Sequence, residues 1–165
     1  MPNKRLPRVN TRYYIHTYKT MEFTAPLSTI MTRKLVTVMP SDKLSVVREI
    51  FDSTRIHHVP VVKYKTLVGI ISRVDLVQFV KGAEQIQDGL KRNNLLKQNT
   101  VEAVMTTGIA TLESTDRINV AIEVLAENLF HAIPIVDDGE LTGIVTTLDV
   151  IKALQAEDMK RILSN

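Results

Sequence analysis

Residues 57–75 read HHVPVVKYKTLVGIISRVD, and residues 131–149 read HAIPIVDDGELTGIVTTLD. Both stretches carry His, Pro, Val, Leu, Gly and Asp at the same intervals. The match continues outward without a gap, from Met31–Val80 against Met105–Leu154, with about thirteen identical positions. Because an ungapped match of this length indicates an internal duplication, the chain is expected to contain one structural unit twice.

Each copy predicts a β-α-β-β-α unit, and therefore an α/β fold. Short β-branched runs indicate strands, and apolar residues spaced as on one helix face indicate an amphipathic helix after the first strand. The strands are predicted over 35–38, 59–62 and 67–71, and over 109–112, 133–136 and 141–145. The helices are predicted to begin near Leu44 and Val74, and near Ile118 and Leu148.

The composition limits the class of protein. The 165 residues suffice for one compact unit with a moderate core. Hydrophobic residues make up 44% and charged residues 24%, which is ordinary for a globular protein. No apolar run approaches the roughly 20 residues of a membrane span, and the absence of cysteine excludes disulfides, thiolate zinc sites and cysteine nucleophiles. We therefore expect a cytoplasmic protein that does not enter a membrane.

The net charge of +3 comes from the N-terminus, where the first 20 residues contain basic but no acidic side chains. These basic residues are Lys4, Arg5, Arg8, Arg12 and Lys19. Interleaved with tyrosines, they could bind nucleic acid. Five charges support only weak, salt-sensitive binding to nucleic acid. We therefore favour the interpretation that the arm is a solvated tail or a strand that docks on a partner subunit. The predicted organisation is an arm (1–25), a first repeat (26–82), a linker (83–100) and a second repeat (101–165).

The repeats resemble the CBS-domain family. The resemblance is carried by Ile30-Met31-Thr32 and Val104-Met105-Thr106 at the start of each copy, and by the residues quoted above. It covers about residues 26–160. It implies a tandem pair, or Bateman module, whose repeats pack about a pseudo-twofold axis, and such pairs commonly form homodimers. Many sense adenosine derivatives for an attached enzyme or channel, but this sequence contains no such domain, so a stand-alone module is expected.

The resemblance places Asp75 and Asp149 on the ribose hydroxyls of a nucleotide, with Ser72 and Thr146 close to its phosphates. A second interpretation needs no ligand. A hydroxyl residue followed three positions later by an acid is also the pattern of a helix capping box. The capping role and the ribose role can coexist.

Other residues carry weaker predictions. By resemblance His57, His58 and His131 face the phosphates, although lone histidines are more often packed or exposed and two or three alone rarely define a metal site. Thr37 and Thr111 would lie against the adenine, but threonine in a strand needs no special explanation. The full predicted nucleotide site comprises Thr37, His57, His58, Pro60, Ser72, Arg73 and Asp75, with Thr111, His131, Pro134, Thr146 and Asp149.

Gly69 and Gly143 are isolated glycines within predicted strands, which indicates close backbone approach either to a ligand or to the other repeat. The helix faces bearing Leu76, Val77 and Val80, and Val150, Ile151 and Leu154, are predicted to join two copies in a homodimer.

The predicted function is ligand sensing, without catalysis. No Gly-rich phosphate loop, nucleophile elbow or zinc-protease helix is present in the sequence. The expected regulatory ligand is AMP, ADP, ATP or S-adenosylmethionine, which shifts affinity for an unidentified target protein; no cofactor or metal is expected. The alternatives are a nucleic-acid-binding protein that uses the arm, with the repeats for dimerisation, and a structural adaptor with empty clefts.

Overall fold

The computed structural model describes residues 23–82, 89–127 and 131–163. The basic residues from Lys4 to Lys19, on which the nucleic-acid hypothesis depends, lie outside these ranges. Within them, no helix is both long and apolar enough to cross a bilayer.

Apart from the first strand of each repeat, which is reduced to one bridged residue, the described elements follow the predicted order. The first repeat contains helix α1 (Leu44–Ser53), strands β1 (His58–Lys63) and β2 (Thr66–Ser72), and helix α2 (Arg73–Gly82). Helix α3 (Gly89–Gln98) follows. The second repeat contains α4 (Ile118–Ala126), β3 (Ala132–Asp137), β4 (Glu140–Thr146) and α5 (Thr147–Leu163). The α/β class and the duplicated arrangement are thus confirmed.

The linker predicted over 83–100 contains helix α3, which the sequence pattern did not indicate. This helix packs against α1 and contributes Leu96, which is buried, to the core of the first repeat. Its only large apolar residues are Leu90, Leu95 and Leu96, so its apolar stripe is too narrow to stand out as an amphipathic helix.

The first strand of each repeat is shorter than predicted. Strands β1 and β2 pair antiparallel, as do β3 and β4. Of the runs 35–38 and 109–112, only Val38 and Leu112 pair, each by a single parallel bridge. Val38 donates its N–H to the Pro60 carbonyl at 3.1 Å. The next bond of a parallel ladder would need an N–H from Pro60, which proline lacks, and Pro134 stops the second ladder in the same way.

The two repeats exchange their leading segments. Leu27 and Met31, which precede the first repeat's helices and strands, are buried in the core formed by α4, β3, β4 and α5. Val101 is buried reciprocally in the core of the first repeat. The backbone follows the same exchange, because the Leu27 N–H donates to Asp116 and the Val101 N–H donates to Asp42. Each core is therefore completed by residues from both repeats.

The strand glycines serve this exchange. A Cβ on Gly69 would lie 2.8 Å from the Thr106 carbonyl oxygen, and one on Gly143 would lie 2.7 Å from the sulfur of Met31. Thr106 pairs with Ile70 of β2, so the leading segment of the second repeat lies directly over Gly69. Of the two predicted explanations, the structure shows close approach to the other repeat.

Gly69→Ala is expected to lower the free energy of unfolding by about 1–3 kcal/mol, as overpacking of a tight interface does. Gly143→Ala should cost less, because its obstacle is a flexible methionine side chain rather than backbone. Gly82→Ala is the control. Nothing lies within 4 Å of its added Cβ, so the variant should match or slightly exceed the parent in stability. Urea unfolding of the three variants would contradict this account if Gly69→Ala were no less stable than Gly82→Ala.

Candidate functional site

The predicted site residues lie where the two repeats meet. Strands β2 and β4 are in contact, and Ile70, Ala132 and Ile144 form a small buried cluster between them. Ala132 is the first residue of β3, so the start of that strand lies at the contact between the repeats. Its counterpart in the duplicated sequence is His58, the first residue of β1. The junctions β2–α2 and β4–α5 lie beside these strand starts, because His58 pairs with Ser72 and Ala132 with Thr146.

Asp75 forms a complete capping box at the start of α2. Its Oδ2 accepts hydrogen bonds from the Ser72 backbone N–H at 2.8 Å and from the Ser72 hydroxyl at 2.6 Å. The Asp75 N–H in turn lies 3.1 Å from the Ser72 hydroxyl oxygen. All of these bonds to the carboxylate use Oδ2. Oδ1 accepts no hydrogen bond from the residues that the structure describes, so one face of the carboxylate is available.

Asp149 repeats the capping box but has a further partner. Its Oδ2 accepts from the Thr146 N–H at 2.8 Å and from the Thr146 hydroxyl at 2.6 Å. Its Oδ1 accepts from the hydroxyl of Thr32 at 3.3 Å. Thr32 comes from the leading segment of the first repeat and pairs with Ile144 of β4. The two carboxylates are therefore unequal, since the second is already engaged on both oxygens.

The sequence motifs did not single out Thr32 as a site residue. The available signal was its duplication, because Thr106 occupies the same position in the second copy. Only the exchange of leading segments, which is a long-range feature, brings Thr32 to the second repeat's aspartate.

The histidines of the two repeats approach one another beside Asp75. Burial lowers the pKa of His58 below its usual value, and the neighbouring His131 and His57 lower it further. Asp75 acts in the opposite direction. The pKa of His58 therefore depends on His131 of the second repeat as well as on His57 and Asp75 of its own repeat. Before a ligand binds, this environment favours the neutral imidazole of His58.

The predicted adenine contacts lie in the runs that bridge to β1 and β3. Thr37 and Thr111 are exposed, and each is followed by the residue that bridges to β1 or β3. Pro60 and Pro134 are buried, and their carbonyls accept the N–H groups of Val38 and Leu112. The two prolines therefore hold the leading strand residue in place, whereas the threonine side chains face solvent.

Arg73, a predicted nucleotide contact, is engaged by α1 in the described structure. Its guanidinium donates to the carbonyl of Phe51 and lies 5.2 Å from the centre of the Phe51 ring. Phe51 belongs to α1, on the core side of the repeat. The side chain is thus held between α1 and α2, and its role as a nucleotide contact stays a prediction.

Metal binding receives no support from the described side chains. Over 23–82, 89–127 and 131–163, apart from side chains too uncertain to place, no group of three or more His, Asp, Glu or Cys residues is arranged to hold an ion. The three histidines therefore do not combine with Asp75 into a recognisable metal site.

Comparison with known proteins agrees with the duplicated architecture. The family model described as CBS domain matches residues 27–82 and again 101–156. An inosine-5'-monophosphate dehydrogenase of Thermoplasma acidophilum is 31% identical over 134 residues, which are 81% of this chain but 24% of that enzyme. An uncharacterised protein of Methanocaldococcus jannaschii is 30% identical over 149 residues and is matched over 88% of its length. The chain thus spans only a small part of the dehydrogenase.

Solved structures share the fold. The CBS domain of a CBS-domain-containing membrane protein from Sphaerobacter thermophilus has a TM-score of 0.66 at 28% identity, covering 79% of this chain and 88% of that one. The structure of CBSX2 in complex with AMP also has a TM-score of 0.66 at 28% identity, covering 81% of this chain and 98% of that one.

Proposed function

Because this chain belongs to the CBS domain family, we propose that it is a non-catalytic sensor which binds an adenosine-containing nucleotide between its two repeats. The observation that carries the proposal is the available Oδ1 of Asp75, held at a strand-to-helix junction beside histidines from both repeats. CBSX2, of similar fold and 28% identity, forms a complex with AMP. AMP is accordingly the first ligand to test.

Each part of the nucleotide has a complementary group. The free carboxylate oxygen of Asp75 can accept hydrogen bonds from the ribose hydroxyls while Oδ2 keeps its capping role. The phosphate is favoured at the N-terminus of α2, where backbone N–H groups and the helix dipole attract anions. His57, His58 and His131 add donors, and the adenine would lie along the exposed backbone at Thr37.

The site at Asp75 is expected to be occupied first. At Asp149 the hydroxyl of Thr32 already donates to Oδ1, so a ribose must share that oxygen with Thr32 or displace it. Ala132 also stands where the first repeat has His58, which removes one polar group. We therefore assign tight binding to the Asp75 site and weaker binding to the Asp149 site.

The exchanged leading segments supply a route for regulation. A ligand at either junction contacts residues whose neighbours belong to both cores, so binding can alter how the repeats pack. It does so only to the extent that it binds the two arrangements unequally. The target whose affinity would change is a separate protein or domain, and we place the pair in the cytoplasm on the sequence grounds given above.

Calorimetric titration with AMP, ADP, ATP and S-adenosylmethionine tests the proposal. Saturable binding of at least one of them, with GMP and CMP as controls that bind more weakly, is the expected result. An absence of saturable binding throughout the adenosine series would instead favour the structural adaptor.

A homodimer remains our proposal, on a surface that only partly coincides with the predicted one. Leu76 and Val150 are buried in their own repeats and cannot join two copies. The outward residues of α2 and α5 are exposed apolar side chains, which a small module leaves for a partner. They are Val74, Val77, Leu148, Ile151 and Leu154.

Val77→Asp with Ile151→Asp is expected to weaken self-association by about tenfold or more, because two copies would each bury charges without partners. Sedimentation at micromolar concentration measures the effect. Val46→Asp is the control, since Val46 is comparably exposed but lies on α1. A parent protein that sediments as a monomer throughout would contradict the proposal.

The nucleic-acid hypothesis stays a prediction, since its basic residues lie outside the described ranges. Deleting residues 1–20 should abolish any nucleic-acid affinity and leave nucleotide affinity within a factor of about three, because the arm precedes both repeats.

A further inference from the structure

A cavity lies in the first repeat, away from the contact between the two repeats. It has a volume of about 370 Å³ and opens between α1 and α2 of the first repeat. This size falls within the roughly 300–1,000 Å³ of small-molecule sites. Its apolar wall includes Phe51, Leu76 and Val80, of which Phe51 and Leu76 are buried core residues. The cavity therefore presents the edge of the hydrophobic core to a ligand.

The rest of the lining is predominantly cationic. Arg48, Arg73 and Lys81 line the cavity, against one acidic residue, Asp52. Asp52 is paired with Arg48 at 2.6 Å. The Nε of Arg73 is buried and has no hydrogen-bond partner among the described residues. Because this atom has almost no accessible surface, the head group of a ligand would meet Arg48 and Lys81 directly, and a carboxylate is the anion that a guanidinium fits best.

The second repeat provides an internal comparison. The duplicated sequence places Ile122, Thr147 and Gln155 where the first repeat has Arg48, Arg73 and Lys81. None of the three is charged. The cationic lining is thus a property of the first repeat alone and is not required by the fold that the two repeats share.

We propose that this cavity binds a small amphipathic carboxylate, with an apolar body against Phe51, Leu76 and Val80 and the carboxylate among Arg48, Arg73 and Lys81. The apolar wall favours a ligand with an apolar body, and the excess of cationic side chains favours a negatively charged head group. The site is separate from the ribose carboxylates, so this inference does not depend on nucleotide binding. Val77 lies on the rim and also on the proposed dimer surface, so the ligand would lie next to the second copy.

Decanoate is a suitable probe, with decanol and decylamine as neutral and cationic controls. Calorimetry should show saturable binding of decanoate, with decanol weaker and decylamine absent. Arg48→Met with Lys81→Met keeps apolar surface and removes two charges from side chains that are not part of the core. This variant should bind decanoate about tenfold more weakly, the loss expected for charge-assisted contacts. Lys63→Met, at the exposed end of β1, is the matched control and should bind as the parent does.

Three results would overturn the inference. The first is the absence of saturable decanoate binding by the parent protein. This must hold also at a protein concentration where sedimentation shows a monomer, so that a second copy cannot cover the cavity. The second is decanol binding as tightly as decanoate, which would remove the role of the cations. The third is unchanged affinity in the double variant while circular dichroism shows that it is folded. Decanoate affinity should also be the same with and without saturating AMP if the two sites are separate.

Discussion

Asp75→Asn is expected to weaken AMP binding by about ten- to a hundredfold while leaving the protein folded. Hydrogen bonds to a charged carboxylate are worth roughly 1.5–3 kcal/mol, and the asparagine amide offers a donor where the ribose hydroxyls also donate. The capping role is less sensitive. Asparagine keeps a carbonyl acceptor for Ser72, so the loss of stability should be about 0.3–1 kcal/mol from the missing charge near the helix N-terminus.

Asp42→Asn is the matched control for this variant. Asp42 also accepts a backbone N–H three residues earlier, from Met39 at 2.7 Å, but it precedes α1 and is not among the predicted site residues. It should lose a similar amount of stability and no affinity for AMP. Asp149→Asn should reduce the affinity of the weaker site. If Asp75→Asn, Asp149→Asn and the double variant all bound AMP as tightly as the parent, the ribose role would be wrong and only the capping box would remain.

Leu27→Ala is expected to lower the free energy of unfolding by about 2–5 kcal/mol, the usual cost of removing a fully buried leucine side chain. Leu27 has no exposed surface, and its neighbours Ile118, Ile133 and Val145 belong to the second repeat. A truncation at the start of the first repeat should therefore weaken the core of the second. Because Val101 completes the first core in return, both repeats should still unfold in one transition.

Circular dichroism during urea unfolding, at one fixed protein concentration, measures this effect. Val46→Ala is the control, because Val46 is 43% exposed, lies outside the proposed dimer surface, and its truncation should change stability by no more than about 0.5 kcal/mol. A parent protein that unfolds in two separate steps, with Leu27→Ala affecting neither, would show that the leading segments do not couple the repeats.

The helices and the paired strands could be predicted from the sequence because their signals are local. Helical spacing from Leu44 and Ile118 placed the starts of α1 and α4 at the residues where the structure has them. The first strands were predicted too long because propensity favours β structure in β-branched runs, whereas pairing is limited by a proline on the neighbouring strand. Pro60 was visible in the sequence, but its effect depends on which strand lies beside it.

The site was predictable only where its geometry is local. Ser72 and Asp75 are three residues apart, so their contact follows from the helix start. The Thr32 contact with Asp149 spans 117 positions and depends on the exchange between repeats. Arg73 follows the same motif, yet Phe51 holds its side chain against α1. The direction of a side chain at a helix start depends on what packs beside it, which the motif does not contain.

A crystal structure of the protein co-crystallised with AMP would test the central proposal most directly. We expect the ribose hydroxyls within hydrogen-bond distance of Asp75 Oδ1, with Ser72 still donating to Oδ2 and the phosphate beside the start of α2. The account would be contradicted if AMP bound away from both aspartates. It would also be contradicted if AMP occupied the cleft beside Asp75 and its ribose made no contact with Asp75 Oδ1.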